Sequence, residues 1–286
     1  MNKRDLPSSD ILNEYEIESR LRKKNINYDV VYKSSTDSTN SDAKKIAGKN
    51  DAVIIAAEQT AGKGRYGRTF YSQSNGGIYF TVRINNKNNN NNGLSAGDTT
   101  FFPLIAAVSV YQAVRDLCGI ELRVKWPNDL LYKFASGYKK LCGILTEASI
   151  KAIKTTEATE AAEPENHRVE YVIVGIGLNI NNGAEDFPDE IKDTAASLKM
   201  ISGIKYDRAD ILCEILYNFA RFMNIPKKDL LEEYKKILLL GIDISFMQDG
   251  KILTGKARGI NENGNLIAEM QNGETITIQS GGINFI

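Results

Sequence analysis

The loop at residues 57–68, AEQTAGKGRYGR, combines side chains and spacings that suggest chemistry, and it follows an apolar run at 52–57 that predicts a β-strand. Its glycines let the backbone approach a ligand closely and adopt positive φ angles. Its cationic side chains supply charge-assisted donors for a carboxylate or a phosphate. The glycines are Gly62, Gly64 and Gly67, and the cations are Lys63, Arg65 and Arg68. The loop is therefore a candidate anion-binding loop, with an exposed basic turn as the alternative.

Two known phosphate-binding motifs fit this loop by letter only. Its glycines spell GxGxxG, and residues 62–69 approximate GxxxxGK[ST] with Arg68 at the lysine position. Both motifs require a helix to begin at the loop, because helix N-terminal amides bind the phosphates. The segment at 69–77, TFYSQSNGG, is instead rich in turn residues and aromatics. The sequence therefore argues against a Rossmann fold and against a P-loop.

The composition is that of a globular protein without a global charge. The 286 residues are 42% hydrophobic and 25% charged, with 36 basic and 36 acidic side chains. This length suits one large domain and a smaller one. A net charge of zero provides no field that attracts nucleic acid or an anionic membrane, and the apolar runs are far shorter than the ~20 residues of a membrane span. We expect neither a nucleic-acid nor a membrane partner.

The cysteines and the histidine exclude several kinds of site. Cys118, Cys142 and Cys213 are widely spaced in apolar segments, which favours reduced core residues over disulfides or a metal site. His167 is the only histidine and lies in a polar segment, which excludes a Ser-His or Cys-His catalytic pair. Acidic residues within 1–27 argue against a targeting segment. These features predict a cytoplasmic protein with no protein-bound metal.

The elements that must position the polar motifs follow from periodicity. The run at 169–180 is nearly continuous in β-branched residues, which predicts a central strand buried on both faces. Gly175 and Gly177 interrupt it, which indicates that a ligand or another backbone comes close. Strands are also predicted at 29–32, 52–57, 77–84, 122–125, 130–132 and 141–148. Helices are predicted at 11–25, from the capping segment at 36–40 to near Gly48, and at 102–118, 207–223 and 228–240. The first helix would be capped by Ser9 or Asp10, and the second by Ser38, Thr39 or Asn40.

Two segments of biased composition and a C-terminal tail with its own strand pattern complete the chain. The Asn-rich residues 85–92 and the polar residues 151–167 are predicted to be loop insertions. From Gly241 onward, short strands alternate with the hairpin signals Asp249-Gly250, Asn263-Gly264 and Asn272-Gly273. The tail is therefore predicted to be a small all-β barrel that rests on the main domain.

Taken together, these pieces resemble biotin protein ligases. The motifs have the order and approximate spacing of that family over roughly residues 28–200, and the β tail extends the resemblance by pattern. Each motif alone is weak, whereas KWPND in register with the glycine loop and GIGLN is specific. The motifs are Ser38-Thr39-Asn40, Gln59, GKGRYGR at 62–68, KWPND at 125–129, KLCGIL at 140–145 and GIGLN at 175–179.

The resemblance implies an α/β (α+β) fold, with a mixed-sheet, class II synthetase-like catalytic domain followed by an SH3-like β-barrel. The implied domains are an N-terminal helical extension at 1–27, the catalytic domain at 28–240 and the β domain at 241–286. The implied reaction joins biotin to a lysine of biotin carboxyl carrier domains through a biotinyl-5′-adenylate, made from biotin and ATP with Mg²⁺. The usual bacterial DNA-binding domain is not expected, and the choice between monomer and homodimer stays open.

The resemblance also assigns roles to residues. The catalytic set is Lys140, Arg65, Asp129, Asn128 and Lys125. The biotin-binding set is Ser38, Thr39, Asn40, Gln59, Gly62, Gly64, Arg65, Lys140, Gly143, Gly175 and Gly177. The ATP- and adenylate-binding set is Arg65, Arg68, Phe70, Trp126, Asn128, Lys140 and Asn179.

The residue types suit the implied reaction. A carboxylate attacks the α-phosphorus of ATP, so fixed cations must meet the charge that grows on phosphate, and Arg65, Arg68 and Lys140 are the candidates. Asp129 would orient the acceptor lysine and take up its proton, since an ammonium group cannot attack. For Lys125 a structural ion pair is the alternative.

The biotin headgroup calls for neutral partners. Its ureido ring donates and accepts hydrogen bonds, which suits Ser38, Thr39 and Gln59. The apolar tail would lie against the strand at 175–177, where the missing side chains leave room. For the residues at 38–40 helix capping is the alternative, and for Trp126 a place in the core is favoured over stacking on a ligand.

Several positions depart from the family pattern. Lys63 and Tyr66 replace arginines of some members, and Phe70 stands where tryptophan is common, so that aromatic cover for the nucleotide is retained. The segment at 133–139 is a few residues longer than usual, which makes Lys139 the neighbouring alternative to Lys140.

Two other functions compete with biotin ligation. One is a lipoate ligase of the same superfamily, against which KWPND and the basic glycine loop favour biotin. The other is a non-catalytic sensor that holds biotin or nucleotide and binds a partner through its β tail. The retention of Arg65, Lys140 and Asp129 together favours an enzyme over such a sensor.

Overall fold

The computed structural model describes residues 12–48, 50–74, 76–86, 93–153 and 166–286. The strands are β1 Asp29–Lys33, β2 Ala52–Ala56, β3 Gly77–Asn85, β4 Arg123–Lys125, β5 Asp129–Phe134, β6 Gly137–Ile153, β7 Asn166–Asn179, β8 Asp243–Gln248, β9 Lys251–Ile260, β10 Leu266–Glu269, β11 Thr275–Ile278 and β12 Ile283–Phe285. The helices are α1 Glu14–Lys23, α2 Thr39–Lys45, α3 Phe102–Cys118, α4 Asp189–Lys192, α5 Leu198–Ser202, α6 Arg208–Phe222 and α7 Lys227–Ile237.

The strands form a mixed seven-stranded sheet and a separate five-stranded antiparallel sheet. The order in the large sheet is β1-β2-β3-β7-β6-β5-β4, with β1 and β2 parallel and the other neighbours antiparallel. The predicted central strand is confirmed, since β7 lies in the middle of this sheet and Val172, Val174 and Leu178 are fully buried. The nearly continuous β-branched run is thereby explained, because both faces of the strand are covered.

Helix α3 packs in the interior, as its apolar sequence predicts. It ends at Cys118, and the following residue, Gly119, closes the helix with a left-handed φ of 67°. The stretch Ala96–Cys118 is long and apolar enough to cross a membrane by length and composition, but 61% of its most apolar window is buried inside the protein. That burial identifies α3 as a core helix, packed against α6, α7 and the large sheet.

Several helix boundaries differ from those predicted; α7, for example, ends at Ile237 rather than at 240. Helix α1 begins at Glu14, because the side chain of Asn13 accepts a hydrogen bond from the Glu16 amide at 2.8 Å; Ser9 and Asp10 lie outside the described residues. Helix α2 ends at Lys45, short of the predicted end at 48. Ser38 occupies its N-cap position without a side-chain capping bond, so the capping alternative does not explain its hydroxyl.

The insertions are described only in part. Most of the predicted insertion at 85–92 and the centre of that at 151–167 lie outside the described residues. The described ends of the second insertion belong to β6 and β7, which extend further than predicted. The turn between β5 and β6 falls at residues 135–136, so the longer segment at 133–139 forms a β-hairpin.

The C-terminal sheet has the order β11-β10-β9-β8-β12 and contains the three predicted hairpin turns. Gly250, Gly264 and Gly273 have φ angles of 75°, 76° and 85°, which glycine adopts without a steric cost. The Trp126 indole nitrogen donates to the Gly264 carbonyl at 3.0 Å, which ties this sheet to the KWPND segment. Buried side chains of both sheets belong to one continuous hydrophobic cluster.

Candidate active site

A cavity of about 540 Å³ lies where the large sheet, the glycine loop and the C-terminal sheet meet. Strands β6 and β7 form its floor, and the loop at 63–70 forms one wall. The sequence-predicted residues that line it are Ser38, Thr39, Asn40, Gln59, Gly64, Arg65, Arg68, Phe70, Lys125, Trp126, Asn128, Asp129, Lys140, Gly143, Gly175 and Gly177. The fold thus brings together motifs that are more than 100 residues apart in the chain.

The charged part of the lining is strongly cationic. Among the described lining residues these cations are Arg65, Arg68, Lys125 and Lys140, with Lys63 nearer to α2, and the one carboxylate is that of Asp129. The Lys140 ammonium lies 2.7 Å from Asp129 Oδ1. Because fixed cations outnumber the carboxylate, this part of the cavity suits a polyanion such as a nucleotide phosphate chain.

A hydrogen-bond chain connects the glycine loop to this ion pair. Arg65 donates to Asn128 Oδ1 at 3.3 Å, and the Asn128 amide nitrogen donates to Asp129 Oδ1 at 3.2 Å and to the Ile144 carbonyl at 3.0 Å. Strand β5 begins at Asp129 and pairs with Gly143 of β6, which fixes the carboxylate over the cavity floor. Four predicted catalytic residues, Arg65, Asn128, Asp129 and Lys140, are therefore joined in one chain of contacts.

Lys125 stands beside this group in a more buried position. Burial lowers the pKa of its ammonium; nearby Asp129 opposes that effect, while the positive charges of Lys140 and Arg68 reinforce it. The Lys125 nitrogen lies 4.9 Å from the centroid of the Phe285 ring, a cation–π contact from the C-terminal sheet. No direct ion pair of Lys125 is found among the described residues.

The opposite part of the cavity is polar, and its described side chains are uncharged apart from Lys63, whose ammonium donates to the Ser41 hydroxyl at 2.8 Å. Its hydrogen bonds run through Ser72, Gln59, Thr39, Thr81 and Asn40, which we call the polar relay. Gln59 Oε1 accepts from the Thr39 amide at 2.9 Å, and Gln59 Nε2 donates to the Ser72 hydroxyl at 2.9 Å. The Thr81 hydroxyl lies 2.8 Å from the Thr39 hydroxyl and 2.6 Å from Asn40 Oδ1. Such a set of fixed donors and acceptors suits a small neutral headgroup.

Two glycines of β7 are explained by close approaches within the chain. A methyl group at Gly175 would overlap the Asn40 amide, and one at Gly177 would overlap the Phe70 ring. The ring of Phe70 also lies against Gly143, the cross-strand partner of Gly177. The space over Gly177 that was predicted for an apolar ligand tail is thus occupied by Phe70 in this structure.

The neighbouring lysine at 139 is directed elsewhere. Its ammonium lies 5.9 Å from the centroid of the Phe134 ring and is not part of the cavity lining. Trp126 is 4% exposed, and its indole bonds to Gly264, so it belongs largely to the core, as favoured from the sequence.

Two predicted site residues are not brought into the cavity lining. Gly62 is buried in the turn, where its carbonyl accepts from the Phe70 amide at 2.9 Å. Asn179 is 5% exposed and donates to the Ala196 carbonyl at 3.1 Å, which supports the chain after β7. The structure therefore gives both residues a structural contact that differs from the predicted ligand contact.

Sequence reasoning missed the wall formed by the C-terminal sheet. Met247 and the segment at 280–284 line the cavity, and Tyr66 of the glycine loop faces Gly281 and Gly282. The only local signal was the dipeptide Gly281-Gly282 just before the last strand. Thr81 was also missed, because a threonine inside an apolar strand fits ordinary β-propensity.

The described residues contain no group of three or more His, Cys, Asp or Glu side chains placed to hold a metal ion. Asp129 is the only carboxylate among the described lining residues. One carboxylate already paired with Lys140 is too few for an all-protein magnesium site, although it suits a metal held mainly by nucleotide phosphates and water.

Comparisons with known proteins agree with this site. The Biotin/lipoate A/B protein ligase family matches residues 18–158, and the Biotin protein ligase C terminal domain matches residues 240–285. The bifunctional ligase/repressor BirA of Bacillus spizizenii is 34% identical over 272 residues, 92% of this chain and 76% of the relative. The biotin–[acetyl-CoA-carboxylase] ligase of Mycobacterium tuberculosis is 28% identical over 267 residues, 87% of this chain and 86% of the relative.

The similarity extends to solved structures. The biotin protein ligase of Aquifex aeolicus in complex with biotin and ATP superposes with a TM-score of 0.69 at 28% identity, covering 90% of this chain and 98% of that one. The fold and the site thus define a protein of the biotin/lipoate ligase class. Within that class, the chain belongs to the biotin protein ligase family.

Proposed function

We propose that this protein is an ATP-dependent ligase that joins biotin to a lysine of biotin carboxyl carrier domains through a biotinyl-5′-adenylate. The observation that carries the proposal is one cavity with two halves. Arg65, Arg68, Lys125 and Lys140 gather near Asp129, the one carboxylate of the described lining, and next to them lies a hydrogen-bonding pocket formed mainly by uncharged side chains. The first half suits the phosphates of ATP, and the second suits the ureido ring of biotin.

In the first half-reaction the biotin carboxylate attacks the α-phosphorus of ATP and pyrophosphate leaves. Two anions must meet, so the reaction needs fixed positive charge at the point of attack. Lys140 is the best-placed cation, because its ammonium lies at the junction of the two halves, beside the Phe70 ring and above the floor at Gly143. Arg65 and Arg68 approach from the glycine loop and would balance the remaining phosphate charge.

In the second half-reaction the ε-amine of the acceptor lysine attacks the acyl carbon, and AMP leaves. The amine must lose a proton before or during the attack. Asp129 is the only carboxylate among the described lining residues, and Asn128 holds its Oδ1 in place. We assign to Asp129 the orientation of the incoming amine and the uptake of its proton.

Magnesium completes the proposal as a partner of ATP. The ion would neutralise phosphate charge, and its ligands would be phosphate oxygens and water, with Asp129 as the one protein carboxylate within the described lining. The lysines and arginines would bind and orient the phosphate oxygens, whether or not those oxygens also contact the ion.

The remaining assignments complete the proposal. We place the domain boundaries at 27/28 and 240/241, and the protein in the cytoplasm. A balanced charge of 36 basic and 36 acidic residues supports a protein partner rather than nucleic acid or membrane. Monomer and homodimer are separated by sedimentation of the purified chain.

The test is transfer of labelled biotin to a purified biotin carboxyl carrier domain in the presence of ATP and Mg²⁺. The expected result is label on the carrier that resists denaturation and requires both ATP and the acceptor lysine. Two outcomes would contradict the proposal with folded protein: transfer of lipoate instead of biotin, or biotin binding without any transfer. The first would support a lipoate ligase, and the second a sensor.

A further inference from the structure

Thr81 lies at the centre of the polar relay but outside the cavity lining. It belongs to β3, is fully buried, and faces Gly175 across the β3–β7 pair. Its hydroxyl contacts two residues at the start of α2, Thr39 and Asn40, at 2.8 and 2.6 Å. Thr39 and Asn40 both line the cavity, whereas Thr81 reaches the cavity only through these two residues.

The direction of these hydrogen bonds follows from the available protons. The Asn40 amide nitrogen donates to Glu147 Oε1 at 3.1 Å and to the Leu145 carbonyl at 3.4 Å, so its oxygen faces Thr81. An amide oxygen only accepts, and therefore Thr81 supplies the proton of its 2.6 Å contact with Asn40. With that proton used, the Thr81 oxygen is left as an acceptor for the Thr39 hydroxyl.

This pattern of hydrogen bonds determines whether the Thr39 hydroxyl can donate to a ligand or only accept from it. Its one hydroxyl proton is directed to Thr81 at 2.8 Å or to Gln59 Oε1 at 3.1 Å, and both partners are internal. Only lone pairs of the Thr39 oxygen remain for the cavity, so that oxygen acts as an acceptor. The ureido ring of biotin has N–H groups that such an acceptor matches.

We infer that Thr81 is a positioning residue for biotin, which holds Thr39 as a hydrogen-bond acceptor toward a ureido N–H and fixes Asn40 over Gly175. The inference rests on the proposed function. It accounts for a fully buried hydroxyl in an otherwise apolar stretch of β3. It also assigns Asn40 to bracing α2 against β3 and β6 rather than to direct contact with biotin.

The test compares Thr81→Val with Thr146→Val. Valine removes the hydroxyl with little change of volume, and Thr146 is a matched control because its buried hydroxyl has no hydrogen-bond partner among the described residues. In Thr81→Val we expect the KM for biotin to rise about tenfold, the effect of one buried hydrogen bond lost. The KM for ATP and kcat should stay within about twofold of wild type, since a bond made equally in ground and transition states affects binding alone.

Rescue by serine and a double-variant comparison distinguish a positioning role of Thr81 from a merely structural one. Thr81→Ser keeps the hydroxyl and should restore the wild-type KM for biotin. If Thr81 acts through Thr39, the double variant Thr39→Val with Thr81→Val should bind biotin no more weakly than Thr39→Val alone. Should Thr81→Val not fold cooperatively, Thr81→Ala and Thr81→Ser provide the same comparison.

Each failure has a distinct meaning. A wild-type protein that does not transfer biotin overturns the proposed function. If wild type transfers biotin, the inference is overturned when Thr81→Val has an unchanged KM for biotin, when Thr146→Val raises that KM equally, or when serine does not restore it.

Discussion

The ammonium of Lys140 and the carboxylate of Asp129 form an ion pair at 2.7 Å on the floor of the cavity. The two residues come from neighbouring strands, β6 and β5, at the point where Asp129 pairs with Gly143. In the proposed mechanism the Lys140 ammonium meets the α-phosphate of ATP, and the Asp129 carboxylate receives the proton of the acceptor lysine, so the ion pair links the two roles. The two half-reactions are therefore expected to share this pair but to depend on its members unequally.

Lys140→Ala should reduce adenylate formation at least ~100-fold, the scale for loss of a charge partner of the transition state. Asp129→Asn should reduce transfer from preformed biotinyl-adenylate to the carrier more than it reduces adenylate formation. Biotin-dependent exchange of pyrophosphate into ATP measures the first step, and single-turnover transfer measures the second. Lys139→Ala is the matched control and should behave as wild type, because its ammonium lies by Phe134 rather than in the cavity.

If Lys139→Ala lowered exchange and Lys140→Ala did not, the assignment of the catalytic lysine would be reversed. Equal losses of both partial reactions in Asp129→Asn would show that the carboxylate chiefly positions Lys140, and its role in proton uptake would be withdrawn.

Much of the fold was predictable because local patterns agreed with the tertiary structure. The β-branched run of β7 specified a central strand, and the glycines within it correctly signalled a close approach. The reason for that approach was only partly accessible, since the approaching groups include Asn40 and Phe70 of the same chain. Periodicity reports how a strand is covered without identifying what covers it.

The wall formed by the C-terminal sheet could not be predicted from local patterns. The segment at 280–284 reaches the cavity because the two sheets are docked through long-range contacts, such as Trp126 to Gly264. No periodicity encodes such docking. Asn179 is a related case. Its place in the GIGLN motif predicted a position near the ligand, whereas in the structure its amide donates to the Ala196 carbonyl and the residue lies outside the cavity lining.

Gly177→Ala should destabilise the protein by ~1–3 kcal/mol, because the added methyl group overlaps the Phe70 ring in a packed site. The free energy of unfolding in urea measures the effect. Gly259→Ala is the matched control in a strand, since a methyl group there meets nothing within 4 Å. Combining Gly177→Ala with Phe70→Ala should cost less than the sum of the two single changes. Strict additivity would mean that the ring is not the group that Gly177 accommodates.

Tyr234→Phe should lower the free energy of unfolding by ~1–3 kcal/mol, because it leaves a buried carbonyl without its donor. The Tyr234 side chain is fully buried, and its hydroxyl donates to the Pro127 carbonyl at 3.2 Å, which supports the KWPND segment from α7. Tyr15→Phe is the control, since that side chain is 83% exposed. Equal stability of Tyr234→Phe and wild type in urea denaturation would contradict a stabilising role for this bond.

The charge of Lys125 should limit ATP binding on the alkaline side. Burial, together with the charges of Lys140 and Arg68, lowers the pKa of Lys125 below the ordinary value of 10.5. As pH rises through that lowered pKa, the cavity loses one positive charge and the KM for ATP should increase. Between that lowered pKa and 10.5, the unfolded chain keeps a proton that the folded chain has lost. Lys125 therefore contributes an increase in the free energy of unfolding as pH rises through this range.

Lys125→Arg tests this assignment, because a guanidinium keeps its charge throughout the accessible range. The variant should retain a KM for ATP that stays nearly constant from pH 7 to about 10, whereas in wild type that KM rises toward the alkaline end. Lys125→Met should have a high KM for ATP at every pH, without the alkaline increase. An identical alkaline increase in wild type and in Lys125→Arg would assign the titration to another group and would leave Lys125 as a support for Phe285 and the C-terminal sheet.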